Sequence, residues 1–509
     1  MISLSKQQTF PAISREIKRK MPEKEVLALM PRRLVEELRA FVFDKSDRMV
    51  KVAAVNPSDN ILQHFLKSRF GDTVSLFAAT EEDVVFILKN YAGNFTNNIS
   101  KLATIEIKDT QNIVEIVDDI VNYALTKKAS DIHIEALKGK TVIRFRVDGI
   151  LHTMVSLPKK IHSALIARFK ILANLKIDEY RQPQDGRIEL EKIKGVSLRV
   201  STMPTLYGEK VVLRILDDSH QHLSIEELGL SQEQKEIILR NIEKPFGMIV
   251  ASGPTGSGKT TTLYGLLDLL DKENVNISTL EDPIEYALTG VNQIQINPRV
   301  NLNFASGLRA LLRQDPDVVM VGEIRDSETA IMASDAALTG HLVLTTVHTN
   351  DAPSAFTRFL EMKVEDFTVV STINMVVAQR LVRRVCDHCA QEEKLDKVIL
   401  KKVIQRKDVT KKLKERGIGA QALSRRKFRI GKGCEKCLHS GYQNRIGLFE
   451  LVEINKKIHD LILEHASAEV IKKAVQKAGF GDIISDGVDK VLAGITTFGE
   501  VLRTTKNLS

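Results

Sequence analysis

The stretch Gly253–Thr260 constrains this 509-residue chain more than any other. Its sequence, GPTGSGKT, fits the pattern G-x-x-x-x-G-K-[ST] at every position. The apolar run 247–252 before it predicts a buried strand, and the apolar spacing of 261–271 predicts a helix directly after it. A strand, a glycine-rich loop and a helix in this order form the context in which the pattern indicates a phosphate-binding loop. A glycine-rich turn that matches by chance is the alternative.

Each residue type in this loop has a chemical reason to be there. Glycines let the backbone curl so that its N–H groups face a phosphate chain, and the helix N-terminus adds positive potential. Lys259 is expected to reach the β- and γ-phosphates, and the Thr260 hydroxyl to ligate Mg²⁺. The sequence therefore predicts a bound nucleoside triphosphate with Mg²⁺. The predicted contact residues are Gly253, Pro254, Thr255, Gly256, Ser257, Gly258, Lys259, Thr260 and Thr261.

Composition narrows the class of protein. The chain is 43% hydrophobic and 27% charged, which is ordinary for a globular protein. No apolar run approaches the ~18 residues of a membrane span, and the first twenty residues lack the apolar centre of a secretory signal. A cytoplasmic enzyme of two to four domains is therefore expected.

The net charge of +9 raises nucleic acid or an anionic membrane surface as a partner. Between Cys389 and Cys434, however, there are fifteen Lys and Arg against five Asp and Glu, and this excess of ten accounts for the whole imbalance. The remainder is near neutral and only 5% of residues are aromatic, with no Trp for base stacking. These features argue against a broad nucleic-acid groove, so no direct nucleic-acid contact is predicted.

All four cysteines fall in two pairs, Cys386-x-x-Cys389 and Cys434-x-x-Cys437. Two such knuckles in a reduced compartment predict a tetrahedral Cys₄ zinc site. A closed shell of four ligands leaves no position for a substrate, so the predicted role is structural. Two pairs of ordinary free thiols are the alternative.

Two acidic runs follow the phosphate loop. The run 277–286 ends a predicted strand with Glu281, Asp282 and Glu285, which could hold Mg²⁺ through water or deprotonate an attacking water. A solvated turn is the alternative. Further on, the apolar strand Val318–Val321 leads to Glu323, which predicts a Walker B strand with glutamate in the acidic position.

Two histidines and two arginines are weaker candidates. His341 and His348 bracket the apolar strand 342–347, and a histidine at such a strand end either senses the γ-phosphate or is merely structural. Arg309 and Arg313 lie four residues apart on one face of a predicted helix. They either form a solvated face or neutralise phosphate charge, within a subunit or across an interface, as arginine fingers do.

The chain divides, on its element pattern, into three parts. Residues 1–92 predict a small α/β docking or regulatory domain, followed by a polar linker at 93–109. Residues 110–222 predict a mixed sheet with helices on one side. Residues 223–509 predict the phosphate-loop domain, a mostly parallel sheet with helices on both faces, with a zinc element at 386–437 and a helical subdomain at 450–509.

Together these motifs resemble the ATPases that power type II secretion and type IV pilus assembly. The resemblance covers nearly the whole chain and is strongest over 129–450. The motifs that carry it, in chain order, are SDIHIE, RFRVDGIL, the loop at 253–260, ISTLEDPIE, LRQDPDVVMVGEIRD, TGHLVLTTVHTNDA, AQRLVRRVC and the four cysteines.

The resemblance implies a fold and a set of partners. It implies a RecA-like core behind a PAS-like second domain, a ring that is usually a homohexamer, and ATP, Mg²⁺ and Zn²⁺ as bound groups. It also implies that the first domain meets inner-membrane docking and platform proteins. The protein would then lie at the inner face of the cytoplasmic membrane, with a peripheral membrane contact among the expectations.

The resemblance also implies residue roles. Arg199 and Arg214 match arginines that reach the phosphates from the second domain. Glu285 matches the glutamate assigned as general base, with Glu281 as second choice, and Glu323 matches the Walker B glutamate that supports Mg²⁺ together with Thr260. Secretion, pilus assembly and DNA-uptake pili share this motor, so the sequence leaves the system open. A nucleic-acid-stimulated translocase and a nucleotide-gated scaffold with little turnover are the rival functions.

The chain departs from the family pattern in three places. Asn444 stands for a glycine in G-Y-x-G-R, and because asparagine tolerates left-handed backbone we expect the turn to survive. Tyr180 stands where the family often has arginine. The N-terminal part has no copy of an extended cyclic-dinucleotide-binding pattern, so no such ligand is predicted.

Overall fold

The computed structural model describes residues 24–27, 29–30, 34–35, 38–46, 49–71, 73–91, 110–190, 195–217 and 224–506, together with residues 11 and 22. The chain divides into two compact units, residues 1–215 and 216–509. The predicted linker at 93–109 lies outside the described residues. Among the described residues, no helix is both long and apolar enough to cross a membrane.

The first part of unit one is a small three-stranded sheet with helices. Strand β2 pairs antiparallel with β1 and parallel with β3. Asp59 accepts hydrogen bonds from the N–H groups of Ile61 and Leu62 and so begins α2, while Gly71, at φ +72°, ends it. Strands and helices occur together here, in agreement with the small α/β domain expected for residues 1–92. The elements are α1 Lys24–Leu27, β1 Ala40–Ser46, β2 Met49–Ala54, α2 Asn60–Phe70, β3 Val74–Ala78 and α3 Glu81–Tyr91.

The second part of unit one is a six-stranded sheet in the order β6-β5-β4-β9-β8-β7. Four of its strand pairings are antiparallel: β4–β5, β4–β9, β5–β6 and β7–β8. In these four pairings the expected mixture of parallel and antiparallel strands is not found. Helices α4 and α5 contribute to the same core as the sheet, which confirms helices on one face. The elements are α4 Thr110–Thr126, β4 Asp131–Leu137, β5 Lys140–Val147, β6 Ile150–Pro158, α5 His162–Leu172, β7 Gln184–Glu189, β8 Val196–Thr205 and β9 Gly208–Asp217.

Unit two is built on a seven-stranded sheet in the order β12-β11-β13-β14-β10-β15-β18. Its first six strands are parallel, and only β18 runs antiparallel, against β15. Helices cover both faces and bury two apolar cores, one on each side of β10. The strands are β10 Gly247–Ser252, β11 Ile277–Glu281, β12 Asn292–Gln295, β13 Val318–Val321, β14 Leu342–Val347, β15 Ile373–Val385 and β18 Tyr442–Glu453. The expected α/β fold with a parallel sheet is confirmed.

The helices of this sheet precede or follow its strands in the manner of α/β proteins. Helix α7 begins directly after the phosphate loop, and α9 follows β13. The helices are α6 Gln232–Ile242, α7 Lys259–Leu267, α8 Phe304–Leu311, α9 Ser327–Leu338, α10 Pro353–Glu361 and α11 Asp366–Thr372.

The basic insert, residues 390–433, joins β15 to β18 and has its own small core. Strands β16 Ala390–Lys394 and β17 Lys427–Gly431 form an antiparallel hairpin that encloses three helices. The insert's apolar side chains pack on the last two helices of the chain, so that core includes part of the predicted helical subdomain at 450–509. The helices of these segments are α12 Lys397–Gln405, α13 Lys407–Glu415, α14 Ala420–Arg425, α15 Lys456–Leu463, α16 Ala468–Lys477, α17 Ile483–Leu492 and α18 Phe498–Thr504.

Candidate nucleotide site and cysteine cluster

The phosphate loop lies between the end of β10 and the start of α7. Gly253 has φ +150°, and a Cβ there would lie 2.5 Å from Ser257 Oγ and 2.7 Å from the carbonyl oxygen of Gln379, so no side chain fits. Gly258 is the N-cap of α7 in left-handed conformation, with no side chain capping the helix. The first amide groups of α7 are therefore available to an anion, as the sequence predicted.

Lys259 is the central cation of the loop. It is only 8% exposed, and its Nζ donates to the carbonyl oxygens of Gly253 at 2.8 Å and Pro254 at 3.4 Å. Burial lowers the pKa of Lys259 to about 8, with Glu323 opposing and Arg380 adding to this effect. A phosphate beside the amine would favour its charged form again, so the site is electrostatically suited to an anion.

Strand β15 supports the loop from one side. The Gln379 amide donates to the carbonyl of Ser257 at 2.7 Å, and the buried Arg380 donates to the carbonyl of Asn350 at 2.8 Å. The Ser252 hydroxyl lies 2.6 Å from the Thr349 hydroxyl. Sequence reasoning missed Gln379 and Arg380, although two polar residues inside a buried strand were a usable signal.

Glu323 follows β13 at the carboxyl edge of the sheet, where it was predicted. Its carboxylate lies 2.6 Å from Arg325 Nη2 and 3.4 Å from His348 Nε2. In the parallel sheet Val321 pairs with Thr345 and Ser252 pairs with Val347, so the residues directly after β13, β14 and β10 lie at the same edge as the phosphate loop. The structure thus brings together Lys259, Glu323 and His348.

The two glutamates of the first acidic run lie in different environments. Glu281 ends β11 and is 2% exposed, and its carboxylate accepts hydrogen bonds from Tyr264, Thr279 and Gln293. Such an enclosed carboxylate is not placed to take a proton from water, so the geometry corrects our second choice of base. Glu285 lies half-buried in the loop that follows, and Asp282 is exposed.

His341 is not part of this edge. Its backbone carbonyl accepts a hydrogen bond from Gly247, the first residue of β10, and its ring lies 2.9 Å from the carbonyl of Ala336. A six-residue strand at about 3.3 Å per residue places it roughly 17 Å or more from the phosphate loop. Within this chain, the position of His341 therefore contradicts a phosphate-sensing role.

Arg309 and Arg313 are exposed on the outer surface of unit two. Arg309 is 3.0 Å from Glu328 of α9, and Arg313 donates to the carbonyl of Arg309 at 2.8 Å. Neither side chain makes a hydrogen bond or ion pair with the phosphate loop in the described part of this chain. A role within the same subunit is thus unsupported, and only the interface alternative stays a prediction.

Arg199 and Arg214 belong to unit one. Both are exposed, on β8 and β9, and their neighbours Leu198, Val200 and Leu213 form the core on the opposite face of the sheet. Arg214 Nε lies 3.2 Å from a carboxylate oxygen of Asp131. These arginines therefore occupy the polar face of the six-stranded sheet.

The four cysteines form one cluster. All four Sγ atoms lie within 4.8 Å of one another, and the separations include Cys386–Cys434 at 4.0 Å, Cys389–Cys437 at 3.8 Å and Cys434–Cys437 at 3.7 Å. Tetrahedral zinc with Zn–S of about 2.3 Å separates its sulfurs by about 3.8 Å. These distances suit a shared metal ion, and all four cysteines are free thiols.

Backbone amides prepare this cluster for a metal. The N–H groups of Cys434 and Gly441 donate to Cys437 Sγ at 3.2 and 3.3 Å. Burial alone would raise the pKa of the Cys437 thiol, but these hydrogen bonds, together with those to the Cys434 and Cys389 side chains, lower it to about 7. Asn444, at φ +64°, adopts the left-handed conformation expected where the family has glycine.

Comparisons with known proteins agree with this geometry. The family model described as Type II/IV secretion system protein matches residues 106–503, and the MshEN domain model matches residues 13–95. The expectation that the first domain takes no cyclic dinucleotide stays a prediction.

Several curated relatives cover most of the chain. The chain is 45% identical over 404 residues to the Type II secretion system ATPase E of Vibrio cholerae serotype O1. The matched region covers 79% of this chain and 77% of that protein. The chain is 41% identical over 401 residues to the Type IV pilus assembly ATPase PilB of Pseudomonas aeruginosa, covering 78% and 68%. It is 36% identical over 526 residues to the PilB of Myxococcus xanthus, covering 99% and 90%.

Solved structures confirm the fold. The Legionella pneumophila ATPase DotB superposes with a TM-score of 0.55 at 22% identity, covering 75% of this chain and 93% of that one. The pilus retraction motor PilT with bound ADP gives a TM-score of 0.51 at 23% identity, covering 76% and 96%. The predicted resemblance is confirmed, and the chain belongs to the type II/IV secretion system protein family.

Proposed function

We propose that this chain is the ATP-hydrolysing motor of a type II secretion or type IV pilus assembly system. The observation that carries the proposal is the position of Lys259, Glu323 and His348 at one edge of the parallel sheet, beside a loop with open amides. The names of the relatives, ATPases of type II secretion and of type IV pilus assembly, support the reaction and the kind of system. These names do not decide between a secretion system and a pilus assembly system.

Each residue has a proposed role in hydrolysis. Lys259 and the amides of residues 253–261 bind the phosphates of ATP, and Thr260 and Glu323 hold Mg²⁺, which neutralises phosphate charge when bound. Glu285 accepts the proton of the attacking water. His348, 3.4 Å from Glu323, senses the γ-phosphate through that carboxylate.

The proposed working form is a homohexameric ring. Arg199 and Arg214 would complete the phosphate site from the second domain, and Arg309 and Arg313 are exposed, as residues that act across a subunit interface must be. Within the ring these cations would neutralise charge that develops on the phosphates. The first domain would dock the ring on inner-membrane partner proteins at the cytoplasmic side.

The cysteine cluster is proposed to bind structural zinc. Its four ligands lie on both sides of the basic insert in sequence, so a bound ion would fix the insert to the ends of β15 and β18. Closed tetrathiolate coordination leaves no open position, which excludes a direct part in hydrolysis for such an ion.

We also propose that the basic insert makes the peripheral membrane contact. Several of its cations are exposed and have no carboxylate partner among the described residues, and α12 also exposes Val398 and Ile404, by 59% and 45%. A cationic surface with exposed aliphatic residues suits anionic lipid. The unpaired cations are Lys394, Lys397, Lys401, Lys402, Lys407, Lys411, Lys414, Arg425, Arg426 and Lys427.

Liposome binding tests the membrane contact. Replacement of Lys397, Lys401 and Lys402 by Gln is expected to weaken binding to anionic vesicles. The matched control replaces three lysines on other helices, Lys456, Lys457 and Lys473, and is expected to retain binding. Equal binding by the two triple variants would refute a specific role for α12.

The motor itself is tested by steady-state ATP hydrolysis with Mg²⁺, resolved by oligomer size on a column. Turnover is expected in a ring-sized peak, and Glu285→Ala is expected to bind nucleotide but lose turnover by at least about 100-fold. The control Glu273→Ala changes an exposed acid away from the site and should keep full activity. Nucleotide binding without turnover in any fraction, with or without membranes, would favour the nucleotide-gated scaffold.

A further inference from the structure

A buried polar network lies between α7 and the strands beside it. Thr279 and Glu281, two residues apart on β11, point to the same face, and Gln293 of β12 pairs in register with Thr279. Tyr264, on the second turn of α7, is fully buried and faces them. Four polar side chains thus share a space that is otherwise apolar.

The four side chains satisfy one another. Glu281 Oε2 accepts a hydrogen bond from the Tyr264 hydroxyl, and Glu281 Oε1 accepts from Thr279 at 2.6 Å and from the Gln293 amide at 3.1 Å. Burial, followed by the charge of Glu281, raises the pKa of Tyr264, so its hydroxyl remains a donor at neutral pH. A fully satisfied buried network of this kind is rigid.

The outer side of the network holds the loop that carries Glu285. The Gln293 amide nitrogen donates to the carbonyl of Tyr286 at 2.9 Å, and its oxygen accepts from the N–H of Leu288 at 2.7 Å. The Tyr264 hydroxyl also accepts a hydrogen bond from the Gln293 amide at 3.3 Å, and the Tyr264 ring meets that of Tyr286 edge to face at 4.6 Å. The main chain is therefore held at two points directly after Glu285, at Tyr286 and at Leu288.

We propose that Tyr264, Glu281 and Gln293 are positioning residues, which fix Glu285 relative to the phosphate loop. This inference rests on the proposed role of Glu285 as general base. Helix α7 begins with Lys259, so the helix proposed to bind phosphate also carries Tyr264. The Tyr264 ring contacts Tyr286 in the base loop, which is the segment 282–291 that follows β11 and carries Glu285. A misplacement of about 1 Å can lower a rate by roughly 100-fold, which makes such a support consequential.

Two variants test the network in the full-length ring. Tyr264→Phe removes one hydroxyl and keeps the ring contact. Gln293→Leu removes all the hydrogen bonds of the side-chain amide, including those to Glu281, Tyr286 and Leu288, at similar volume. Each is expected to lower kcat by roughly 10- to 100-fold while KM and ADP affinity change less than about twofold. The control Tyr442→Phe removes a hydroxyl that bonds Thr497 at 2.8 Å, far along the chain from the base loop, and should keep kcat.

Coupling to Glu285 separates positioning from general destabilisation. In a Glu285→Ala background, Tyr264→Phe is expected to cause no further loss, whereas an equal loss in both backgrounds would overturn the inference. Hydrogen exchange of residues 282–291 should rise in Tyr264→Phe, and unchanged exchange would also overturn it. If Glu285→Ala alone keeps full turnover, the base assignment of the proposed function fails first and the positioning role falls with it.

Discussion

The side-chain amide of Gln379 donates a 2.7 Å hydrogen bond to the backbone carbonyl of Ser257, and this contact joins strand β15 to the phosphate loop. Gln379 is 1% exposed, so water does not compete for the bond. The next residue, Arg380, bonds the Asn350 carbonyl in the loop after β14. One buried strand thus connects the phosphate loop to the segment that carries His348.

Replacing Gln379 by Met should loosen the phosphate loop. The carbonyl of Ser257 would lose its buried partner, which costs about 1–3 kcal/mol. We expect ADP affinity to fall about tenfold, equivalent to about 1.4 kcal/mol, as measured by titration with a fluorescent nucleotide. The exposed Gln421 of α14 offers the same substitution away from the site, and Gln421→Met should bind ADP normally. Equal affinity of the two variants would show that this contact is dispensable.

Nucleotide affinity should depend on pH through Lys259. The pKa of Lys259 is lowered to about 8 by burial in the nucleotide-free protein, and a bound phosphate raises it. Binding therefore takes up a proton above pH 8, so ADP affinity is expected to be highest below pH 8 and to weaken as pH rises towards 10. Calorimetry in buffers of different ionisation enthalpy measures this uptake.

Lys259→Met supplies the control for that prediction. This variant should bind ADP weakly, and its ADP affinity should not fall further between pH 8 and 10. Its rate of ATP hydrolysis should fall by at least about 100-fold. A pH dependence that is unchanged in Lys259→Met would assign the titration to another group, and normal turnover would remove the assignment of Lys259 to the phosphates.

One zinc ion per chain is expected by elemental analysis. Cys437→Ser should lose that ion and lower the melting temperature, because the insert is then no longer fixed at its base. His388, exposed between the first two cysteines, tests the ligand set, since His388→Ala should keep the zinc if the four sulfurs bind it alone. Zinc loss in His388→Ala, or full zinc content in Cys437→Ser, would contradict a Cys₄ site.

The phosphate loop was predictable because each of its positions has a separate chemical requirement, and Glu323 followed from the length of the apolar run before it. The direction of the strand between them explains why only one of the two histidines lies near the phosphate loop. His341 and His348 bracket one parallel strand, but only its carboxyl end lies at the phosphate loop. Applying that rule to the sequence would have removed His341.

Other features depended on contacts that no local pattern reports. Glu281 and Glu285 carry the same charge in one short run, but their carboxylates lie in different environments. Strand β11 ends at Glu281, so Glu281 is enclosed by Tyr264 and Gln293, whereas Glu285 lies in the loop that follows. Those partners lie 17 and 12 residues away in sequence. By contrast, the Asp148–Gly149 turn between β5 and β6, with φ of +49° and +82°, is a hairpin signal that the sequence itself contains.

Stability at acidic pH should depend on Glu500, which fixes the last helix to β15. Burial would raise the pKa of Glu500, but hydrogen bonds from Arg503 and Arg383 lower it to about 2. The folded-state pKa lies below the unfolded value of about 4.3. The contribution of the Glu500 carboxylate to the free energy of unfolding is therefore complete above pH 5 and disappears as pH falls towards 2. Glu500→Gln should therefore lower the free energy of unfolding by about 3 kcal/mol at pH 7, and by progressively less between pH 5 and 2.

Urea unfolding of both proteins at a series of pH values measures this difference. The exposed pair Lys473–Glu469 provides the control, since Glu469→Gln should change stability by less than about 1 kcal/mol at every pH. If the loss of unfolding free energy in Glu500→Gln stays constant from pH 7 to pH 2, the charge of the carboxylate is not the cause of that loss. A loss that shrinks as the carboxylate protonates would locate part of the acid sensitivity of unit two in the contact between α18 and Arg383.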